Sequence, residues 1–320
     1  MTVTGRCLFY DGELGEIMFK GVRDKRGVSE KEWDFRRCNQ CGSAVLDPMP
    51  TLEELLAAYP PVYHVDQVPQ TSWFHRLQYT LEARFFYEPV YRFSVRQVQR
   101  VTGLRTGRML DVGGGSGHRS FFFQRAGFDV TVLDPDERAL KVARERFGLK
   151  TICGLLEEVN LPENSFDLVT FWFVVEHLPE PQKTLKAAYK VLKPNGWVVA
   201  LVPITDSWQA RLFKERWHEV WEAPRHVALP STQGMKALFA KTGFVFCGKV
   251  GDSTLYNAGG MAVSLCPESG VHACARTKTL RRLLLRLTGA IMTICFLPLA
   301  YLEGKFGSAG DSIFFAQKPS

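Results

Sequence analysis

The chain has 320 residues, 46% hydrophobic and 23% charged, with a mean hydropathy of −0.09. This balance matches soluble globular proteins and excludes wholesale disorder, a collagen-like repeat and a polytopic membrane protein, while the length allows two domains or one large α/β domain with appendages. Forty Lys and Arg against 33 Asp and Glu give a net charge of +7 and a pI near 9.0, which leaves open an anionic partner such as nucleic acid, an acidic lipid surface or a small anion.

Eight cysteines, at 7, 38, 41, 153, 247, 266, 274 and 295, are spread over the whole chain, and residues 1–6 contain no apolar run of the secretory kind. A reducing, cytoplasmic setting is the expectation. Within residues 1–60 the pair Cys38-x-x-Cys41-Gly42 has the one cysteine spacing that carries chemical meaning. Thr51 and Glu54 form a capping box that predicts a short helix. From Ser72 to about Val101, aromatic residues such as Trp73, Phe74, Phe85, Phe86 and Tyr91 alternate with Arg76, Arg84, Arg92 and Arg96, which predicts a long amphipathic helix interrupted near Pro89.

From Arg108 to Pro203 strand and helix patterns alternate. Strands are expected at Met109–Val112, Asp129–Asp134, Thr151–Cys153, Phe166–Phe173 and Trp197–Val202, with helices at Ser120–Ala126, after Pro135 and over Pro181–Leu192. The alternation predicts a doubly wound α/β fold, a mostly parallel sheet with helices on both faces, whose ligands bind beyond the C-terminal strand ends. Further on come a tryptophan-rich segment (Trp208, Trp217, Trp221), a helix from Ser231 to Thr242, a strand-like stretch Phe244–Val250, and a closing strand at Asp311–Ala316.

The sharpest motif is Leu110-Asp111-Val112-Gly113-Gly114-Gly115-Ser116-Gly117-His118, placed after a strand and before a helix. A dinucleotide fingerprint fails there, because its third position falls on His118. The pattern of Asp111, Gly113, Gly115 and Gly117 resembles the first motif of the class I S-adenosylmethionine-dependent methyltransferases, and the resemblance covers about residues 105–250. It implies a seven-stranded Rossmann-like sheet and S-adenosylmethionine as cofactor. Asp134, at the end of the second strand, is then the ribose ligand, because a carboxylate accepts both ribose hydroxyls; its alternative role is a helix N-cap ahead of Pro135.

By the same resemblance, Leu155 and Leu156 flank the adenine or are plain core, Phe171 lies in the strand end lining the methionine portion, and Asp167 is structural. Val175-Glu176-His177-Leu178-Pro179-Glu180-Pro181 resembles a segment of small-molecule methyltransferases related to those of quinone biosynthesis. This makes His177 a candidate base for an acceptor hydroxyl or a loop-fixing residue, and Pro224-Arg225-His226-Val227 makes His226 a second candidate. Thr170-Phe171-Trp172-Phe173 departs from the polar-Pro-Pro-aromatic signature of amide and ring-amine methylases, which favours an apolar acceptor.

The segment around Cys38 and Cys41 resembles a zinc-ribbon-like module found ahead of some of these enzymes. A closed zinc site takes four ligands, and the upstream knuckle, Cys7-Leu8-Phe9-Tyr10, has tyrosine where the second cysteine belongs. Cys7, Cys38 and Cys41 therefore either hold zinc with another ligand or water, or belong to a degenerate ribbon folded on apolar packing. Near the C-terminus, Arg276, Lys278, Arg281, Arg282 and Arg286 precede sixteen uncharged residues, Leu287–Leu302, containing Pro298. That segment suits an anionic membrane surface or packing on the protein itself better than a span.

The resulting expectation has three parts: a degenerate zinc-ribbon-like module over 1–60, an aromatic and basic helical lid over 61–104, and a methyltransferase domain over 105–320 with an apolar insertion at about 276–306. The expected reaction is methyl transfer, preferably to oxygen, on a small lipophilic or lipid-linked acceptor, at the inner face of the membrane. A non-catalytic scaffold that keeps the cofactor fold and a nucleic-acid-modifying enzyme are the alternatives, with nucleic acid the less favoured partner.

Overall fold

The structure, a computed structural model, describes residues 5–25, 28–59, 80–270 and 279–320. The first part of the chain forms three antiparallel strands, β1 (Leu14–Arg23), β2 (Glu32–Cys38) and β3 (Ala44–Leu46), followed by helix α1 (Leu52–Ala57). The capping box at Thr51 and Glu54 is present as expected.

The helix expected after Ser72 is described from Thr80 onward; the part of the lid at 60–79 lies outside the described residues. Its interruption takes the form of a π-helical turn, Ala83–Tyr87, running directly into α2 (Glu88–Thr102). Pro89 has no N–H to donate back along the helix, and the wider turn ahead of it absorbs the missing bond without ending the helix.

The α/β alternation then follows the predicted order: β4 (Gly107–Val112), α3 (His118–Arg125), β5 (Phe128–Asp134), α4 (Glu137–Phe147), β6 (Lys150–Cys153), β7 (Phe166–Trp172), α5 (Pro181–Val191) and β8 (Leu192–Pro203). Helix α4 is capped by Asp136, whose side chain accepts from Arg138 N, and ends on Gly148 at φ +64. After α6 (Trp208–Phe213) and the short strand β9 (Ala228–Leu229) come α7 (Thr232–Lys241), β10 (Val245–Gly251), α8 (Thr254–Leu265), α9 (Thr279–Lys305) and β11 (Asp311–Gln317).

The main sheet has seven strands in the order β10-β11-β8-β7-β4-β5-β6. Its pairs are parallel apart from those that β11 makes, antiparallel to both β8 and β10. Buried runs such as Leu168–Trp172 and Val198–Val202 are apolar almost throughout, as expected of strands covered on both faces. The chain reverses order between β4 and β7, so β4, β5 and β7 open their C-terminal ends onto one crevice.

The N-terminal sheet is not closed by residues 1–60 alone. Its fourth strand is β9, through Ala44 opposite Leu229 and Val45 opposite Ala228. The Cys38–Cys41 turn is fastened to the same region: Ser231 Oγ bonds Cys41 O, Ser43 Oγ accepts from Ser231 N at 2.9 Å, and Thr205 Oγ1 donates to Gly42 O at 2.9 Å.

Helix α9 is longer than the sixteen-residue segment expected and passes through Pro298 without stopping. At about 1.5 Å per residue its 27 residues reach roughly 40 Å, enough for a bilayer core of about 30 Å. Only 6% of its most apolar window is buried. One side rests on α8 through Ala258, Met261, Phe296, Leu297 and Ala300, and β11 rejoins the sheet directly afterwards.

Candidate active site

The crevice begins at the glycine loop after β4. Gly113, Gly115 and Gly117 have φ of +67°, +52° and +75°, a region that glycine enters without strain. A Cβ on Gly113 would stand 2.5 Å from Val174 Cγ2, and one on Gly117 would stand 2.5 Å from Leu149 Cδ1. Asp111 is buried below the loop, where it accepts bonds from Ser120 Oγ and, at 2.7 Å, from Thr170 Oγ1. Burial outweighs those two donors and pushes its carboxyl up to about 6.

Asp134 stands at the end of β5, and the cap of the following helix is Asp136, so the N-cap alternative for Asp134 does not hold. Two backbone amides reach the Asp134 carboxylate, Gly115 N to Oδ2 at 2.9 Å and Asp136 N to Oδ1 at 2.8 Å. The glycine loop and the acidic strand end are thereby tied into one rim. Leu155 is 41% exposed while Leu156 is 4% exposed, so Leu155 faces outward and Leu156 is core. Phe171 is fully buried in the hydrophobic core, which corrects its assignment as a lining residue. Two positions on, Phe173 has left the strand with φ +57° and packs against Tyr256 at 5.4 Å.

Past β7, Val175–His177 forms a 3₁₀ turn tied to the β9 approach by Val227 N donating to Glu176 O at 2.9 Å. This brings His177 and His226 together, with ring centroids 4.6 Å apart and nearly perpendicular. His177 Nδ1 is 3.0 Å from Arg225 O, and His226 Nδ1 is 2.8 Å from Glu219 O. A carbonyl only accepts, so each Nδ1 carries a proton and each Nε2 keeps its lone pair. Burial lowers the pKa of both imidazoles, and each is held neutral. Glu176 lies with them, its ligand atoms and theirs within 4.8 Å of one another, and burial raises its carboxyl well above the usual range.

Arg225 is fully buried between the two histidine segments and the N-terminal sheet. It bonds Asp24 at 2.6 Å, Glu222 at 3.0 Å and Ala58 O at 2.7 Å. Sequence reasoning missed this rivet, together with Tyr256 and the buried acids Glu219, Asp252 and Asp311, whereas Phe173 fell within the strand end, Thr170 to Phe173, expected to line the cofactor. The signal for two of them was available, since Asp311 opens a predicted strand and Asp252 follows one.

Cys7, Cys38 and Cys41 do converge, buried, with Sγ atoms within 4.8 Å of one another and Cys7 to Cys41 at 3.6 Å. The hydrogen bond between these two sulfurs holds the Cys7 thiol far above its ordinary value, with burial adding to it, and brings Cys41 down to about 5. Among the described residues no His, Cys, Asp or Glu joins the trio. The donor set suits a soft ion but is one protein ligand short of a closed zinc site, and the Ser43 hydroxyl, 3.2 Å from Cys41 Sγ, bonds the thiol instead.

Comparison with known proteins places this geometry. A methyltransferase-domain family model matches residues 86–246. The chain is 37% identical over 111 residues to the ubiquinone/menaquinone biosynthesis C-methyltransferase of Methylobacterium nodulans, covering 32% of this chain and 44% of that one. It is 36% identical over 109 residues to the ubiquinone biosynthesis O-methyltransferase of Bordetella avium, covering 32% and 45%. A 2-methyl-6-phytyl-1,4-hydroquinone methyltransferase of Oryza sativa is 32% identical over 116 residues, covering 34% and 33%. The matched region thus spans less than half the length of these curated relatives. Among solved structures, a putative sarcosine dimethylglycine methyltransferase from Galdieria sulphuraria shares the fold, with TM-score 0.51 at 16% identity over 74% of this chain and 88% of that one.

Proposed function

Since the chain belongs to the methyltransferase-domain family whose model spans residues 86–246, we propose that it methylates a hydroxyl oxygen of a small lipophilic acceptor of the quinol type, with S-adenosylmethionine as donor. The observation that carries the donor half is the rim made by Gly115 N and the Asp134 carboxylate. Each carboxylate oxygen can accept more than one hydrogen bond, which suits Asp134 to the two ribose hydroxyls, and exposed Leu155 suits an adenine face. The cofactor, when bound, supplies an electrophilic methyl group on a sulfonium.

The acceptor half rests on the histidine pair. Two neutral imidazoles with Nε2 lone pairs are suited to hold and then remove a hydroxyl proton, and the carbonyls of Arg225 and Glu219 keep their rings oriented. Much of the rate in such a transfer comes from aligning two reactants and excluding water, so the aromatic wall of Phe173 and Tyr256 belongs to the positioning apparatus.

Helix α9 supports delivery from a membrane surface. Leu280, Leu284, Leu287, Ile291, Ile294 and Tyr301 are all exposed at spacings of three, four or seven, one apolar stripe along the helix, with Arg281 and Arg282 at its start. The test is turnover of a methyl-labelled donor with a prenylated catechol or hydroquinone in anionic vesicles. Label recovered as a methyl ether supports the reading, ring methylation replaces oxygen by carbon, and no transfer to any phenolic acceptor sinks it.

A further inference from the structure

Beside the histidine pair, a second group of ligand atoms takes no part in the methyl transfer proposed above. His218, Glu219 and Asp311 present one nitrogen and two carboxylates within 4.8 Å of one another. They come from two places in the chain: the 3₁₀ turn His218–Glu222 after α6, and the first residue of β11. Asp311 is fully buried and neither carboxylate oxygen has a hydrogen-bond partner among the described residues. Its backbone N–H is occupied separately, donating to Asn257 Oδ1 at 3.0 Å.

The imidazole next to it is oriented to donate a lone pair. Ser264 Oγ donates to Gly260 O at 2.8 Å, so it accepts from the His218 backbone N–H at 3.0 Å and from Nδ1 at 3.4 Å. The Nδ1 proton therefore faces Ser264, and Nε2 faces Glu219 Oε1 at 2.7 Å. At that distance either a proton on Nε2 or a cation bound by both atoms joins the pair, and a metal ion takes the place of the proton. The surroundings hold further acids: Asp252 is buried with both oxygens unpartnered, and Glu303 and Glu176 are fully buried as well. Among the described residues none of these five acids forms a salt bridge to Lys or Arg; Arg119 acts on Asp252 only at longer range, and the imidazoles of His218 and His226 lie beside Glu219, the latter 3.7 Å from Oε2. Burying carboxyls away from Lys and Arg is costly, and an ion bound between Glu219 and Asp311 offsets that cost where the two face each other.

We propose that His218, Glu219 and Asp311 bind one divalent transition-metal ion. One imidazole and two carboxylates suit manganese, iron or zinc, whereas the thiol trio at Cys7, Cys38 and Cys41 suits softer ions only. The ion ties the segment after α6 to the start of β11 and neutralises the acidic interior between them. This inference stands on its own atoms and does not depend on the acceptor proposed above.

Manganese separates this cluster from the thiol trio, because it binds oxygen and imidazole in preference to thiolate, and the substitutions below separate it from the group of Glu176, His177 and His226. The chelator-treated full-length chain is titrated with Mn²⁺, following free ion by electron paramagnetic resonance and unfolding by thermal melting. The site predicts one Mn²⁺ per chain and a rise in melting temperature. Asp311→Asn and His218→Gln should each weaken binding at least tenfold and abolish that rise, while Cys38→Ser leaves both unchanged. Asp311→Asn keeps the size and shape of a side chain whose oxygens make no hydrogen bond, so without metal its melting temperature should stay close to that of the unsubstituted protein, which separates lost binding from lost folding. No Mn²⁺ bound at millimolar concentration, or binding that survives both substitutions, overturns the assignment; so does binding lost only in Cys38→Ser.

Discussion

Arg225 Nη2 lies 2.6 Å from Asp24 Oδ1, and both side chains are wholly removed from solvent although 201 positions separate them in the chain. This buried pair connects the N-terminal sheet to the segment that carries His226. Removing one partner strands the other charge in the interior, at a cost of about 3–5 kcal/mol. Arg225→Leu should therefore lower unfolding free energy by that amount in urea titration, and Asp24→Asn should do nearly the same. A loss below about 1 kcal/mol in either would show that the pair does not hold the two sheets together.

Asp111 ties pH to stability. Its carboxyl titrates near 6 in the folded chain against about 3.9 when unfolded, so the folded form keeps its proton longer. With a raised acid, stability is fully present below the unfolded pKa and falls as pH rises toward 6, by about 3 kcal/mol for a shift of this size. Asp111→Asn does not titrate. Its stability relative to the unsubstituted chain should improve by about that amount between pH 4 and pH 7, measured by denaturant titration at each pH, and a difference independent of pH would contradict the assignment.

The histidine pair makes a kinetic prediction. His177 is held neutral because burial, followed by the neighbouring His226, depresses its pKa well below 6.5. Methyl transfer should then show no acid limb from His177 between pH 7.5 and 6.5. His177→Gln should cut kcat by roughly 10²-fold or more, the usual range for a general base, with little change in donor affinity. A variant with unaltered kcat would assign His177 to loop structure through its bond to Arg225 O.

For the membrane surface, the exposed stripe on α9 is the part to change. Leu284→Glu with Ile291→Glu places two charges on that face without touching the side packed on α8. Flotation with anionic vesicles should be lost in this double variant and reduced in Arg281→Gln with Arg282→Gln. Equal recruitment of all three proteins would place the stripe against protein instead.

The core sheet was legible because β4, β5 and β7 are short, largely buried runs bounded by turn formers, and the glycine loop fell in its expected place after β4. Other parts were hidden for physical reasons. The β1–β2 ladder has three register shifts, which break the period-two pattern that marks a strand. β9 is two residues long, so its joining of the sheets is a tertiary fact with no local signature. Helix α8 contains Gly259 and Gly260, poor helix formers, yet Gly260 is required because a Cβ there would lie 2.6 Å from His218 Cε1. Phe171 was misplaced because the strand runs on to Trp172 and keeps Phe171 in the core, whereas Phe173, past the strand end at φ +57°, is the ring that turns out of it.

Gly113–Gly117 and Asp134, joined by the Gly115 N–H bond, form the one rim proposed to hold the cofactor. Calorimetric titration of the purified chain with S-adenosylmethionine and S-adenosylhomocysteine, beside Asp134→Ala, tests it most directly. The account predicts micromolar binding of both by the unsubstituted chain and at least a tenfold loss in a variant that melts normally; binding that is absent, or unchanged by the substitution, would contradict it.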